Sequence, residues 1–205
     1  MKKKLAGVLA GLLLAIGGWQ FGEAAWIHAK AVLAQILIKQ AWFETQTGAR
    51  TVRPWSWADT WPVARLSVPG LGIDQIVLAG ATGRTLAFGP AHMDGTAAPG
   101  DDGLSVISGH RDTHFRFLQR MKMNDVLILT DDSGQSRRFR VTDTAVVNAE
   151  ESGLERLPGA PSLALVTCYP FDAVDPGGPL RYLVFAEAVP NVPAAAPSRG
   201  RAQRL

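Results

Sequence analysis

The sequence holds a single cysteine, Cys168, in 205 residues. One thiol forms no intramolecular disulfide and builds no thiolate-rich zinc site. A lone cysteine is ordinarily a small buried hydrophobe. Oxidising surroundings attack a free thiol, so one kept in an exported chain points to a use that its flanking residues must decide. Charge is also scarce: 19% of residues are charged and the formal net charge is +3. Much of the basic excess lies at the ends, in Lys2, Lys3 and Lys4 and in Arg199, Arg201 and Arg204. The middle of the chain therefore carries no strong basic field, which gives nucleic-acid binding little support. No internal repeat is evident. Apolar residues, at 47%, are plentiful enough for a packed core rather than wholesale disorder.

The apolar content is concentrated first at the N-terminus. Three lysines precede a run from Leu5 to Gly22 that meets no charge until Glu23. Such a run crosses a bilayer as a helix, which needs about 20 residues, and the lysines favour a cytoplasmic N-terminus. A cleaved signal peptide is the rival reading, but its candidate site, Ala29-Lys30-Ala31, lies well past the run. Residues 24 to 47 lack Gly and Pro, which predicts a continuing helix ended by Gly48, with Trp26, Leu33, Leu37, Ile38 and Trp42 roughly on one stripe. Arg53 to Pro62, rich in Trp and bracketed by prolines, reads as an extended strap packed on the domain, with the membrane interface as its alternative. This divides the chain into a lysine stub and anchor (1–23), a helical linker and strap (24–61), a β-rich domain (62–189) and a disordered tail (190–205).

From Val63 the texture becomes short β-rich runs: Val63 to Val68, Gln75 to Leu78, Leu104 to Ile107, Val126 to Leu129, Arg138 to Val147, Leu163 to Thr167 and Tyr182 to Ala186. Turn residues such as Pro69-Gly70 and Pro158-Gly159 separate them, the pattern of an all-β barrel or sandwich. A Thr-rich start before Phe115 to Met121 predicts one short turn of helix.

Three of these runs end in a reactive residue. His110 follows Leu104 to Ile107, Cys168 ends Leu163 to Val166, and Arg181 opens the last strand. A thiol at neutral pH needs an imidazole or a positive charge nearby to act as a nucleophile. Acyl transfer then needs a cationic donor where the tetrahedral oxyanion forms, and Arg is permanently charged with several N–H groups. Thr167 and Tyr169 flank the thiol and are candidate substrate contacts by position.

Three separated motifs, Gly109-His110-Arg111-Asp112-Thr113 with Phe115, Leu165-Val166-Thr167-Cys168, and Leu180-Arg181-Tyr182, resemble the sortase family, most like the sortases of Gram-negative marine bacteria. Arg65 to Ile73 and the stretch from Leu86 to Gly100 resemble the same family's lead-in to the histidine strand, so the likeness spans about residues 62 to 189. Asn124-Asp125 and Asp102-Gly103-Leu104 depart from common family sequence without touching the three motifs. The resemblance implies an eight-stranded β-barrel with short helices after an N-terminal transmembrane helix. It implies a cysteine transpeptidase without cofactor or metal, acting on a secreted protein that bears an LPxTG-like sorting signal. Cys168 would be the nucleophile, His110 the general acid then base, and Arg181 the oxyanion or carbonyl donor; the acceptor amine stays open. With the anchor, this implies a single-pass protein of the bacterial inner membrane whose domain lies on the periplasmic side.

Plainer readings compete. Cys168 as core, His110 as a turn residue and Arg181 as an edge-strand charge are each reasonable singly. His110 and His114 have helical metal-site spacing but lack a Glu between them and follow a glycine. Asp112 adjoins His110 too closely to orient it simply, His28 and His92 fall in no pattern, and Asp101-Asp102 and Asp131-Asp132 read as solvated turns before calcium ligands. A cysteine peptidase using water, or a membrane-tethered barrel that binds peptide or cell-wall material without catalysis, are the alternative functions.

Overall fold

Two-residue alternation makes the wall of the domain. In β1 (Pro62–Val68), Ala64, Leu66 and Val68 are buried while Arg65 faces solvent, as a half-buried pleated strand requires. A 3-10 turn over Pro69–Leu71 closes on Gly72, whose φ of 65° suits glycine, and β2 (Ile73–Ala79) returns antiparallel. The remaining strands are β3 (Ala91–His92), β4 (Leu104–Ser108), β5 (Val126–Asp131), β6 (Ser136–Asn148), β7 (Ser162–Cys168) and β8 (Leu180–Val189). These come from a computed structural model that describes residues 2–49, 51–150, 161–173 and 177–190.

The eight strands form a closed barrel in the order β1-β2-β3-β4-β7-β8-β6-β5, with β1 and β5 sealing it. Each strand thus has two neighbours, although β2 meets β3 only at Leu78 and Ala79. Most neighbours are antiparallel, but β2–β3 and β4–β7 are parallel. The all-β barrel inferred from the sequence is therefore the fold. Seven strands stand within a few residues of the sequence reading; β3, two residues long, is too short to show any period. The barrel interior is one cluster built around Leu66, Ile107, Phe115, Leu127, Phe139, Leu163, Leu165 and Val184. The expected helical turn is a 3-10 helix over Arg116–Arg120, and it drives Phe117 and Leu118 into that core. The tail from 191 onward, expected to be disordered, lies outside the described residues.

The apolar run and the linker form one helix, α1 (Lys2–Gln46), about 68 Å long at 1.5 Å per residue. Its described part is long and apolar enough to cross a membrane by length and composition. Its last turns dock on the barrel through Ala34, Ile38, Ala41, Trp42 and Thr45, all buried. Trp26 and Leu33, read on a stripe that packs on the domain or on the lipid surface, are 64% and 55% exposed and do not touch the barrel. The helix meets the barrel only from residue 34 on, and small alanines line the contact because they let the backbone approach closely. Gln35 Nε2 donates to the Phe88 carbonyl and Gln46 Nε2 to those of Asp131 and Asp132, which ties the helix at both ends of this contact. The Trp/Pro segment packs on the barrel: Trp55 meets Phe88 edge-on at 5.0 Å, and Thr60 donates to the Ala79 carbonyl at 2.7 Å.

Ile38 is 2% exposed and clusters with Leu78 and Ala91. Ile38→Ala should weaken the helix–barrel contact by about 2–5 kcal/mol. Hydrogen exchange on the full chain checks this: amides of residues 34–45 should lose protection while β5 and β6 keep theirs.

Candidate active site

The parallel pairing of β4 with β7 sets the site. Leu104 pairs with Ser162 and the register holds through Ser108 and Val166. It continues past the strand: Gly109 N–H donates to the Val166 carbonyl at 3.1 Å, and the buried Thr167 hydroxyl donates to the Gly109 carbonyl at 2.7 Å. The same offset brings His110 alongside Cys168. On the other side, antiparallel pairing sets Cys168 directly opposite Arg181.

Alternation then decides which face these residues share. Ile107, Leu163, Leu165 and Val184 belong to the barrel interior. Val106, Ala164, Val166 and Leu183 form a separate cluster on the outer face of the same strands. Cys168 follows Val166 at two-residue spacing, and Arg181 precedes Leu183 by the same interval, so both lie on the outer face at one barrel end. Thr167 faces inward and is 2% exposed. Its hydroxyl donates to the Gly109 carbonyl, so the candidate substrate contact at Thr167 sits on the interior side of the wall rather than in the cleft beside Cys168.

Cys168 is half-buried and His110 exposed, and both line one cleft of about 120 Å³ with Arg111, Asp112 and Tyr169. Tyr169 is braced by ring contacts to Phe171 at 6.1 Å and Tyr182 at 6.2 Å. Arg181 shares the strand end without lining this cleft. Its Nη1 donates to the carbonyls of Gly178 and Leu180 at 2.6 and 2.9 Å, while Nε and Nη2 have no partner among the described residues. Asp112 turns to Arg111 rather than to His110, and the guanidinium holds its carboxyl below the usual carboxylate range. Among the described residues no group of three or more His, Cys, Asp or Glu gathers as a metal site.

The histidine loop is shaped by one ring. Phe115 is fully buried, and its N–H closes the loop onto the His110 carbonyl at 3.0 Å. A Cβ on Gly109 would lie 2.6 Å from the Phe115 ring, so glycine is required there by contact rather than by backbone angle. The pairing of that glycine with an aromatic six residues on was visible in the motif, but its purpose needed the fold.

A family model described as "Sortase domain" matches residues 66–189. The chain belongs to the sortase family. Sortase D of Bacillus subtilis (strain 168) is 29% identical over 125 residues, covering 60% of this chain and 62% of that relative. Sortase A from Corynebacterium diphtheriae superposes with a TM-score of 0.58 at 28% identity, covering 67% of this chain and 66% of that one. The chain thus spans just under two thirds of either relative. A sortase C from Clostridium perfringens, solved with the C-terminal cell wall sorting motif, shares the fold with a TM-score of 0.57 at 20% identity, over 78% of this chain and 90% of that one.

His114 lies behind the site, half-buried, with its carbonyl accepting from Gln75 Nε2 at 2.9 Å. Burial, and secondarily the charge of His110, push its imidazole below the ordinary histidine range. The folded state thus favours neutral His114, so this contribution is full above the unfolded value near 6.5 and is lost as pH falls through the lower folded value. The melting temperature of the sortase domain should drop as pH goes from about 7 to 5, and His114→Gln should shrink that drop.

Gly109→Ala should cost about 1–3 kcal/mol by overpacking against Phe115. A Gly109→Ala/Phe115→Leu double variant should recover part of that, as contacting residues couple. Urea unfolding measures both. Thr167→Val should cost a similar ~1–3 kcal/mol by stripping the Gly109 carbonyl of its buried partner.

Proposed function

We propose that this chain is a membrane-anchored cysteine transpeptidase that cuts an LPxTG-like sorting signal near the C-terminus of a secreted protein and transfers the acyl group to an amine. One observation carries the reading: a thiol, an imidazole and a guanidinium stand at the same end of three neighbouring strands, with Cys168 opposite Arg181 and alongside the His110 position. Family membership and the structure of a fold relative solved with a cell wall sorting motif support the substrate class. The narrower likeness to sortases of Gram-negative marine bacteria rests on the sequence motifs alone.

The chemistry follows from the residues. His110 takes the proton from Cys168, and Sγ attacks the carbonyl carbon of the Thr–Gly bond. The oxyanion is drawn to the Arg181 guanidinium. Collapse breaks the C–N bond, His110 protonates the departing amine, and a thioester remains on Cys168. An acceptor amine attacks it, gives up its proton to His110, and expels the thiolate as the new amide forms. Tyr169 provides the cleft wall for the signal; no cofactor enters any step. The apolar α1 and its leading lysines support a single pass through a bacterial inner membrane, with the domain on the periplasmic side.

The test is intact-mass spectrometry of the full chain in detergent with LPxTG-like peptides and a small amine. An acyl adduct of the wild type, absent in Cys168→Ala and followed by an amide product, is the expected result. His110→Ala should slow adduct formation about 10²–10⁴-fold, and Arg181→Ala about 10²–10³-fold. Adduct that resolves only to free acid would indicate a peptidase. Peptide binding that never produces an adduct would indicate a binding module.

A further inference from the structure

Arg111 is 7% exposed and, among the described residues, is the one charged side chain that is buried. A guanidinium shielded from water needs its donors satisfied. Here four N–H groups are satisfied. Nε and Nη2 form a fork on the Asp112 carboxylate at 2.8 and 3.0 Å. Nη1 reaches the Pro170 carbonyl at 2.8 Å, and Nη2 also reaches that of Ala173 at 3.0 Å. Both carbonyls belong to the loop that leaves Cys168, 59 and 62 residues further along the chain.

We propose that Arg111 is a positioning residue for the transfer reaction, pinning the loop that leaves the nucleophile to the loop that carries His110. The inference rests on the transpeptidase reading of the site. Several features support it. Arg111 directly follows His110, and its two distant carbonyl partners lie two and five residues beyond Cys168, so its planar fork couples the backbones on either side of the reacting pair. It lines the cleft with Cys168 and His110, yet most of its donors are spent on protein, which leaves the oxyanion to another group. Its charge is held first by the Asp112 hydrogen bonds, with Cys168 among the further groups that favour it. Asp112 is 68% exposed, so the ion pair is screened and adds little stability by itself. An apolar side chain would fill the same space without the desolvation cost; what it would not supply is a fixed link between two loops.

The experiment compares wild type, Arg111→Met and Arg111→Lys as full chains in detergent, with two readouts. The first is the kinetics of acyl-adduct formation on Cys168. Arg111→Met should lower kcat about 30- to 100-fold, the scale of a roughly 1 Å misplacement, with KM changed less than threefold. Arg111→Lys, which keeps the charge but loses the planar fork, should fall between the two. The second readout is hydrogen exchange. Amides in 169–173 should exchange about tenfold faster in Arg111→Met while β4, β7 and β8 keep their protection. Unchanged kcat, or loss of protection spread equally through the barrel, would overturn the proposal. Should Arg111→Met fail to fold, Arg111→Lys decides by the same pair of readouts, full kcat overturning it. A wild type that forms no adduct would count against the transpeptidase reading itself, and the exchange comparison would still decide whether Arg111 pins the loop.

Discussion

The site depends on the parallel pairing of β4 with β7. Parallel neighbours need a long crossover, so residues distant in sequence meet only because the barrel closes around them. The pairing is locked just beyond the strands, where Gly109 N–H meets the Val166 carbonyl and the Thr167 hydroxyl meets the Gly109 carbonyl. A one-residue slip would exchange the faces of β7 and send Cys168 inward. The buried hydroxyl opposes that slip, since a slipped Gly109 carbonyl would lose its partner.

The barrel wall carries two apolar layers, and the reactive groups extend the outer one. Leu163 and Leu165 fill the interior while Ala164 and Val166 build the outer cluster. Cys168 and Arg181 continue that outer alternation to the strand ends, where the packed wall gives way to a cleft. The strands thereby hold side chains rigidly at an end where they remain accessible. The two arginines at this end differ in how fully they are engaged. Arg181 keeps part of its guanidinium unengaged, whereas Arg111 is buried and nearly saturated.

The N-terminal helix belongs to the same architecture. Its docked end reaches the barrel through Ile38 and Trp42 and is held by Gln35 and Gln46. Any restraint on the apolar part of α1 is therefore passed to the barrel through a packed contact rather than a slack tether.

Much of this was legible in the residues. Two-residue alternation and turn punctuation gave seven strands, because a half-buried sheet imposes that period wherever a strand is long enough. The thiol, imidazole and guanidinium were legible as chemical types at strand ends. The direction of Thr167 was not, since position beside a nucleophile does not say which face a residue takes; register does. The apolar stripe of α1 was legible, but not where its contact with the barrel begins, because periodicity marks an apolar face without saying where along the helix a partner starts. Arg111 read as one letter of a motif, and only the return of the β7–β8 loop gave its donors their carbonyls. Sequence by itself determined the strand pattern, the apolar helix and the reactive side chains, all set by local periodicity and functional-group chemistry. Tertiary structure alone decided which side chains face one cleft, because that depends on a register between segments some sixty residues apart, held by hydrogen bonds that no local pattern encodes.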